Sequence, residues 1–202
     1  QEGHHSREHI EYNRRLEAQG YDVTALTEPV RRRIRYANAH FSPERRLAAT
    51  VAMEHFTAIM ADAVLREMRW FDGAIEPMRQ VWRWHALEET EHKAVAFDLY
   101  MQVSGDRAQL RRAMRLSTFF FLRDVTRGVW NMMRRDGRLT DVGSWYRGMR
   151  WLWGRNGFFS GLWSAYRDFY REDFHPWQHD NYRLMRETQH EFDAINMLGT
   201  KP

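Results

Sequence analysis

The chain is predicted to fold as all-α, and three observations predict it. No segment shows the period-two alternation of a half-buried strand. Apolar residues recur instead at helical spacings, as in Leu47, Val51, Ala58, Ala61 and Leu65. The breaks between these stretches carry helix start and stop residues: Ser42-Pro43-Glu44 at a start, and Gly20, Ser104-Gly105 and Asp136-Gly137 at stops.

Taken in order, residues 1–19 read as the back half of a helix ending before Gly20, the usual residue just past a helix C-terminus. The first residue is not Met and already reads as mid-helix, so the protein is expected to continue upstream. Residues 20–41 read as a connection with a short helix around 30–39. Ser42 as N-cap and Pro43 in the first turn start a helix reaching about residue 69, with Gly73 in the following turn. Long helices are predicted over 76–103 and 107–135. Thr140-Asp141 caps a short aromatic helix to about 153, and Gly154 and Gly157 separate it from another over 158–171. Phe174-His175-Pro176-Trp177 reads as a loop, and a last helix spans about 180–196. The whole is one helical domain, with a metal-binding set of helices in 1–105 and a long helix plus C-terminal extension in 106–202.

Composition narrows the chemistry. The 202 residues include no cysteine, which removes disulfides, Cys-ligated zinc and a thiol nucleophile. Any metal must sit on His and carboxylate. The net charge is +4, and every basic residue except Lys93 and Lys201 is Arg. These Arg residues are spread along helices beside acids, which reads as a solvated face, and no motif of a nucleic-acid module appears. The longest apolar run, Phe119-Phe120-Phe121-Leu122, falls far short of the ~18 residues of a membrane span, and no signal peptide is seen. A cytoplasmic location is expected, with peripheral membrane contact and a homodimer left open.

The chemistry is carried by a set of Glu and His residues. With 15 Glu and 10 His in 202 positions, chance yields fewer than one Glu-x-x-His match, yet four occur. Those read on helices begin at Glu2, Glu89 and Glu187; the fourth, Glu172/His175, falls at the loop before Pro176. On a helix, residues three and four apart share a face, so His85, Glu89 and His92 line one stripe, with Trp82, Ala86 and Ala96. Glu88 and Glu91 fall off that stripe and are expected in solvent. Glu2, His5 and His9 form the same kind of stripe in reversed order, as antiparallel helices could use to meet one centre. Glu54 stands among Thr50, Val51, Ala58 and Ala61, an unusual setting for a surface carboxylate. Pairing with a core arginine such as Arg123 is the plainer alternative. His55, about 100° further round, faces elsewhere. Glu187/His190 lies among Arg183, Arg186 and Gln189 and is assigned to chance.

Ferritin-like two-metal bundles take one Glu from each of two helices and a Glu-x-x-His from each of the other two. This chain supplies Glu2-x-x-His5, then Glu54, then Glu89-x-x-His92. The first carboxylate helix of that pattern would lie upstream of residue 1. The segments QEGHHSREH (1–9), AMEHF (52–56), WHALEETEHKAVAFDLY (84–100) and FHPW (174–177) together resemble the bacterial family of predicted metal-dependent hydrolases, grouped with the ferritin-like proteins. The resemblance covers nearly the whole chain. It implies metal contacts at Glu2, His5, Glu54, Glu89 and His92. His9 and His85 follow as additional ligands or groups that orient the ligands, and His175 as a further candidate if its loop folds over the site.

Carboxylate and imidazole suit iron, manganese or zinc. With two irons, such a site is expected to bind O2 and oxidise or hydroxylate an apolar substrate. With zinc or manganese it activates water for hydrolysis. The di-iron reading is preferred here, with hydrolysis as the alternative. A metal-storage or sensing bundle and a metal-free peripheral membrane protein are the non-catalytic readings. The aromatic- and Arg-rich stretch 116–177 is read first as helical core with Arg stacking, and second as an apolar substrate tunnel or membrane-facing surface.

Overall fold

A computed structural model describes the backbone of residues 2–199 and the side chains of residues 9–193. Among the described residues there is no strand; the fold is all-α. The described residues form nine α-helices, one after another: α1 (Glu2–Ala18), α2 (Val23–His40), α3 (Pro43–Arg66), α4 (Glu76–Glu91), α5 (Val95–Val103), α6 (Arg107–Arg135), α7 (Val142–Trp153), α8 (Phe158–Asp168) and α9 (Tyr182–Gly199), with short 3₁₀ turns at Met68–Phe71 and Pro176–Gln178.

α3 is the hub: α4, α5, α6, α8 and α9 all pack on it. Its N-terminus is made as expected, with Ser42 Oγ accepting from the Arg45 amide and Pro43 in the first turn. Ala48, Ala52, Ala58 and Ala61 are buried and let neighbouring helices approach closely. Val51 and Phe56 join Phe97, Tyr100, Leu110 and Met114 in the main core. Each of these large side chains contributes about 1.5–3 kcal/mol by leaving water. By length and composition α3 could cross a membrane, but half of its apolar window is buried inside the protein. That burial marks it as a core helix.

Two expectations need correction. Residues 23–40 form a full helix rather than a connection with a short helix at 30–39. Asp22 caps it through the Ala25 amide, and Pro29 sits inside it. Proline removes one ladder hydrogen bond. Here the helix is peripheral, and its ties to α6 replace what the ladder loses, through the Arg33–Asp124 ion pair and Leu26 against Gly128. The second correction concerns 76–103, which is two helices. α4 stops at Glu91, residues 92–94 form a turn in which the Val95 amide bonds the His92 carbonyl, and α5 restarts at Val95.

The other predicted helices appear with ends shifted by a few residues. At the end of α1, Gly20 adopts φ +86°, and the Arg135 guanidinium from the end of α6 donates to the Gln19 and Gly20 carbonyls. An added Cβ there would lie 2.6 Å from that guanidinium, the far end of a flexible side chain, so it is the positive φ that calls for glycine.

The aromatic half divides in two. Phe169 and Phe174 are core residues, while Trp130, Tyr146, Trp153 and Trp163 are exposed. The segment after α8 runs back over α5. Phe174 is buried against Phe97 and Phe169, and Arg107 donates to its carbonyl.

Candidate metal centre

The break after α4 sets the site. His92 is the C-cap of α4, with φ −109° and ψ 14°, so its ring stands at the negative end of that helix dipole. A cation is favoured there before any side chain is counted. Glu89 lies one turn earlier on α4, and Glu54 reaches across from α3. One ligating atom from each of Glu54, Glu89 and His92 falls within 4.8 Å of the others. Glu54 Oε2 is 3.8 Å from His92 Nδ1. Their side chains are 29% and 23% exposed, and Glu89 12%, so the group is sheltered without being sealed from solvent.

This arrangement fits a metal ion. Two carboxylates about 5 Å apart repel by roughly 3 kcal/mol at an effective dielectric near 20, and a shared cation reverses that sign. Donor atoms on a common ion lie about 2.0–2.2 Å from it, so the 3.8 Å separation is already within the span of one ion. Among the described residues the group offers three donors, the number a zinc site keeps when one position is left for water or substrate.

The other candidates fall as follows. His85 Nε2 lies 3.8 Å from Glu89 Oε1, one turn back on α4. His9 from α1 packs edge-on against the His85 ring at 5.4 Å. Both thus stand beside the Glu89 end of the group, as ring partners rather than members of the trio. The side chains of Glu2 and His5 lie outside the described residues. His175 is not in the group. Its Nε2 is 2.9 Å from Asp98 on α5, and its ring packs against Phe97, so the C-terminal loop is held on that face instead. Arg123 is exposed, and Glu54 faces His92 rather than that arginine. Glu187 and His190 are exposed on α9, with Glu187 near Arg183.

Sequence periodicity misplaced Glu88. It is buried, not solvated. A lone helical wheel does not show what packs on a second side of α4: His85, three residues before Glu88 on the same side, is met by His9 of α1.

A family model described as predicted metal-dependent hydrolase matches residues 1–180. The chain belongs to that family. No curated protein and no solved structure matches it at a significant level. Family membership and the Glu54–Glu89–His92 group together point to metal ions as cofactors.

His55, next to Glu54, faces the far side of α3, where its Nε2 donates to the Ala165 carbonyl. Burial drives its pKa down to about 3. An unfolded histidine titrates near 6.5. Between pH 6.5 and 3 the unfolded chain therefore binds a proton that the folded chain refuses, and stability falls as pH falls through that window. Thermal unfolding of the metal-free protein followed from pH 7 to pH 4 is expected to show this loss. His55→Gln, which has no proton to gain, should flatten the decline.

Proposed function

We propose that this protein is a metal-dependent hydrolase whose catalytic ion is held by Glu54, Glu89 and His92. The observation that carries the reading is the convergence of these three ligands from α3 and the broken end of α4; the family's description supplies the reaction class. A bound divalent ion supplies Lewis acidity, which makes water a competent nucleophile near neutral pH. The residues do the remainder. Glu54 and Glu89 provide negative charge that holds the ion against solvent. His92 adds a neutral donor on a backbone fixed by the turn to α5. His85 steers the Glu89 carboxylate and stands where it can take up a proton beside it. The partial exposure of Glu54 and His92 leaves the group accessible to substrate.

A two-metal centre of the ferritin-like kind, and with it oxygen chemistry on iron, is the second reading. One observation favours it. Tyr12 packs on Trp82, and His9 on both Trp82 and His85, so α1 runs antiparallel along α4. The earlier turns of α1 then head toward Glu89 and His92. In that reading α1 brings the ligands of a second ion.

The test is a panel of chromogenic esters, phosphoesters and amides assayed with the protein as purified, after chelation, and after repletion with zinc, manganese or ferrous iron. Hydrolysis of one class that is lost on chelation and restored by metal supports the hydrolase. No hydrolysis of any class, together with oxygen consumption by the iron form, would overturn it in favour of the second reading.

A further inference from the structure

Adjacent residues on α3 look onto different spaces. Glu54 belongs to the metal group; His55, about 100° further round the helix, looks onto a separate chamber of about 560 Å³ between α3, α8 and the loop before α9. The metal group explains nothing about this space. Its size falls in the range of small-molecule sites, roughly 300–1,000 Å³.

The chamber is amphipathic. Its floor is apolar: Ile59 from α3 and Leu162 from α8 are both buried, with Phe158 and Trp70 alongside. Its inner wall is polar and already ordered. His179 Nε2 and Asp168 Oδ2 are 3.0 Å apart. Lys93, buried at the turn after α4, donates to the His179 carbonyl and to Asn181 Oδ1, and Asn181 donates to Asp62. This network fixes the loop that closes the chamber, so the space is built by contacts rather than left by loose packing.

Its lining sets Asp62, Glu67 and Asp168 against Arg66, Arg69, Lys93 and an exposed Arg155. Arg66 is paired with Asp62 and Arg69 with Glu67. Arg155 also lines the chamber, and among the described residues it has no carboxylate partner. Gly154 and Gly157 hold it there in a tight turn closed by the Gly157 amide on the Gly154 carbonyl. An added Cβ at either glycine would meet backbone at under 3 Å.

We propose that this chamber binds a small carboxylate with an apolar tail, its tail on the Ile59–Leu162 floor and its head at Arg155. The site is independent of the metal group and does not require the hydrolase reading.

The experiment is calorimetric titration of the chelator-treated protein with straight-chain carboxylates from acetate to decanoate, and with the matching alcohols and amines. Metal-free protein is used so that carboxylate binding to an ion cannot contribute. The expected result is one site per chain, with affinity rising up to about fourfold per methylene until the floor is covered. Arg155→Gln should weaken carboxylates about tenfold and leave alcohols unchanged. Gly161→Phe should abolish binding of the whole series; Gly161 lines the chamber, a Cβ there meets nothing within 4 Å, and a non-glycine residue suits helix α8. Undiminished binding by Gly161→Phe, preference for amines or alcohols over carboxylates, or no binding to the wild-type protein would each overturn the proposal.

Discussion

Glu89→Gln is expected to lower metal affinity by more than about 100-fold and to reduce metal-dependent hydrolysis to the level of the chelated protein. The substitution keeps the volume of the side chain and removes only its charge and one anionic donor. Glu89 is the most sheltered of the three ligands, so water replaces it poorly. Loss of a group that merely orients a ligand costs roughly 10–100-fold, and that is the smaller effect expected of His85→Ala, which acts through Glu89. Glu187→Gln is the control: it changes another Glu-x-x-His pair, on the exposed face of α9, and should leave affinity and rate untouched. Equilibrium dialysis against the repleting metal checks the series, and the order Glu89 before His85 before Glu187 is the informative part.

The largest effect on stability is expected from Phe174→Ala, a loss of about 3–5 kcal/mol. Phe174 is fully buried, and its ring meets Phe97, Phe169, His55 and His179. It is the point where the segment after α8 is pinned to the bundle. Removing the ring leaves a cavity among groups held by other contacts, including the Arg107 bond to the residue 174 carbonyl, which limits how far the gap can close. Denaturant unfolding gives the number. His179 and Lys93 are linked through the same segment, so the variant should also loosen the chamber beside α8. The metal group contains no residue from that segment, so metal affinity should fall much less than stability.

What could be read from the sequence was what is local. Glu54 among small residues on α3, and Glu89 three residues before His92, are statements about single helical faces, and the structure brings those three residues together. The helix starts at Ser42 and Asp141 were legible for the same reason, since a cap is settled within four residues. The break at His92 was not legible. Kinks usually follow proline, glycine or a bulge, and neither proline nor glycine stands at 92–94; the buried pull on Lys93 comes from a loop more than eighty residues away. Pro29 concealed α2 because its cost is local, whereas the contacts with α6 that accompany the helix are distant. Glu88 was placed in water because the wheel of α4 alone cannot show which neighbour packs on its second side. The chamber next to His55 gave no sequence signal at all: Asp168 and His179 sit on opposite sides of the turn that closes it.

The measurement that bears most directly on the central claim is the metal content of the purified protein, by elemental analysis, alongside that of a Glu54→Ala/His92→Ala double variant shown by circular dichroism to be folded. The account predicts at least one equivalent of zinc, manganese or iron per chain in the wild-type protein and almost none in the variant. A wild-type protein that takes up no metal, or a folded variant that retains the full complement, would contradict the assignment of the ion to Glu54, Glu89 and His92.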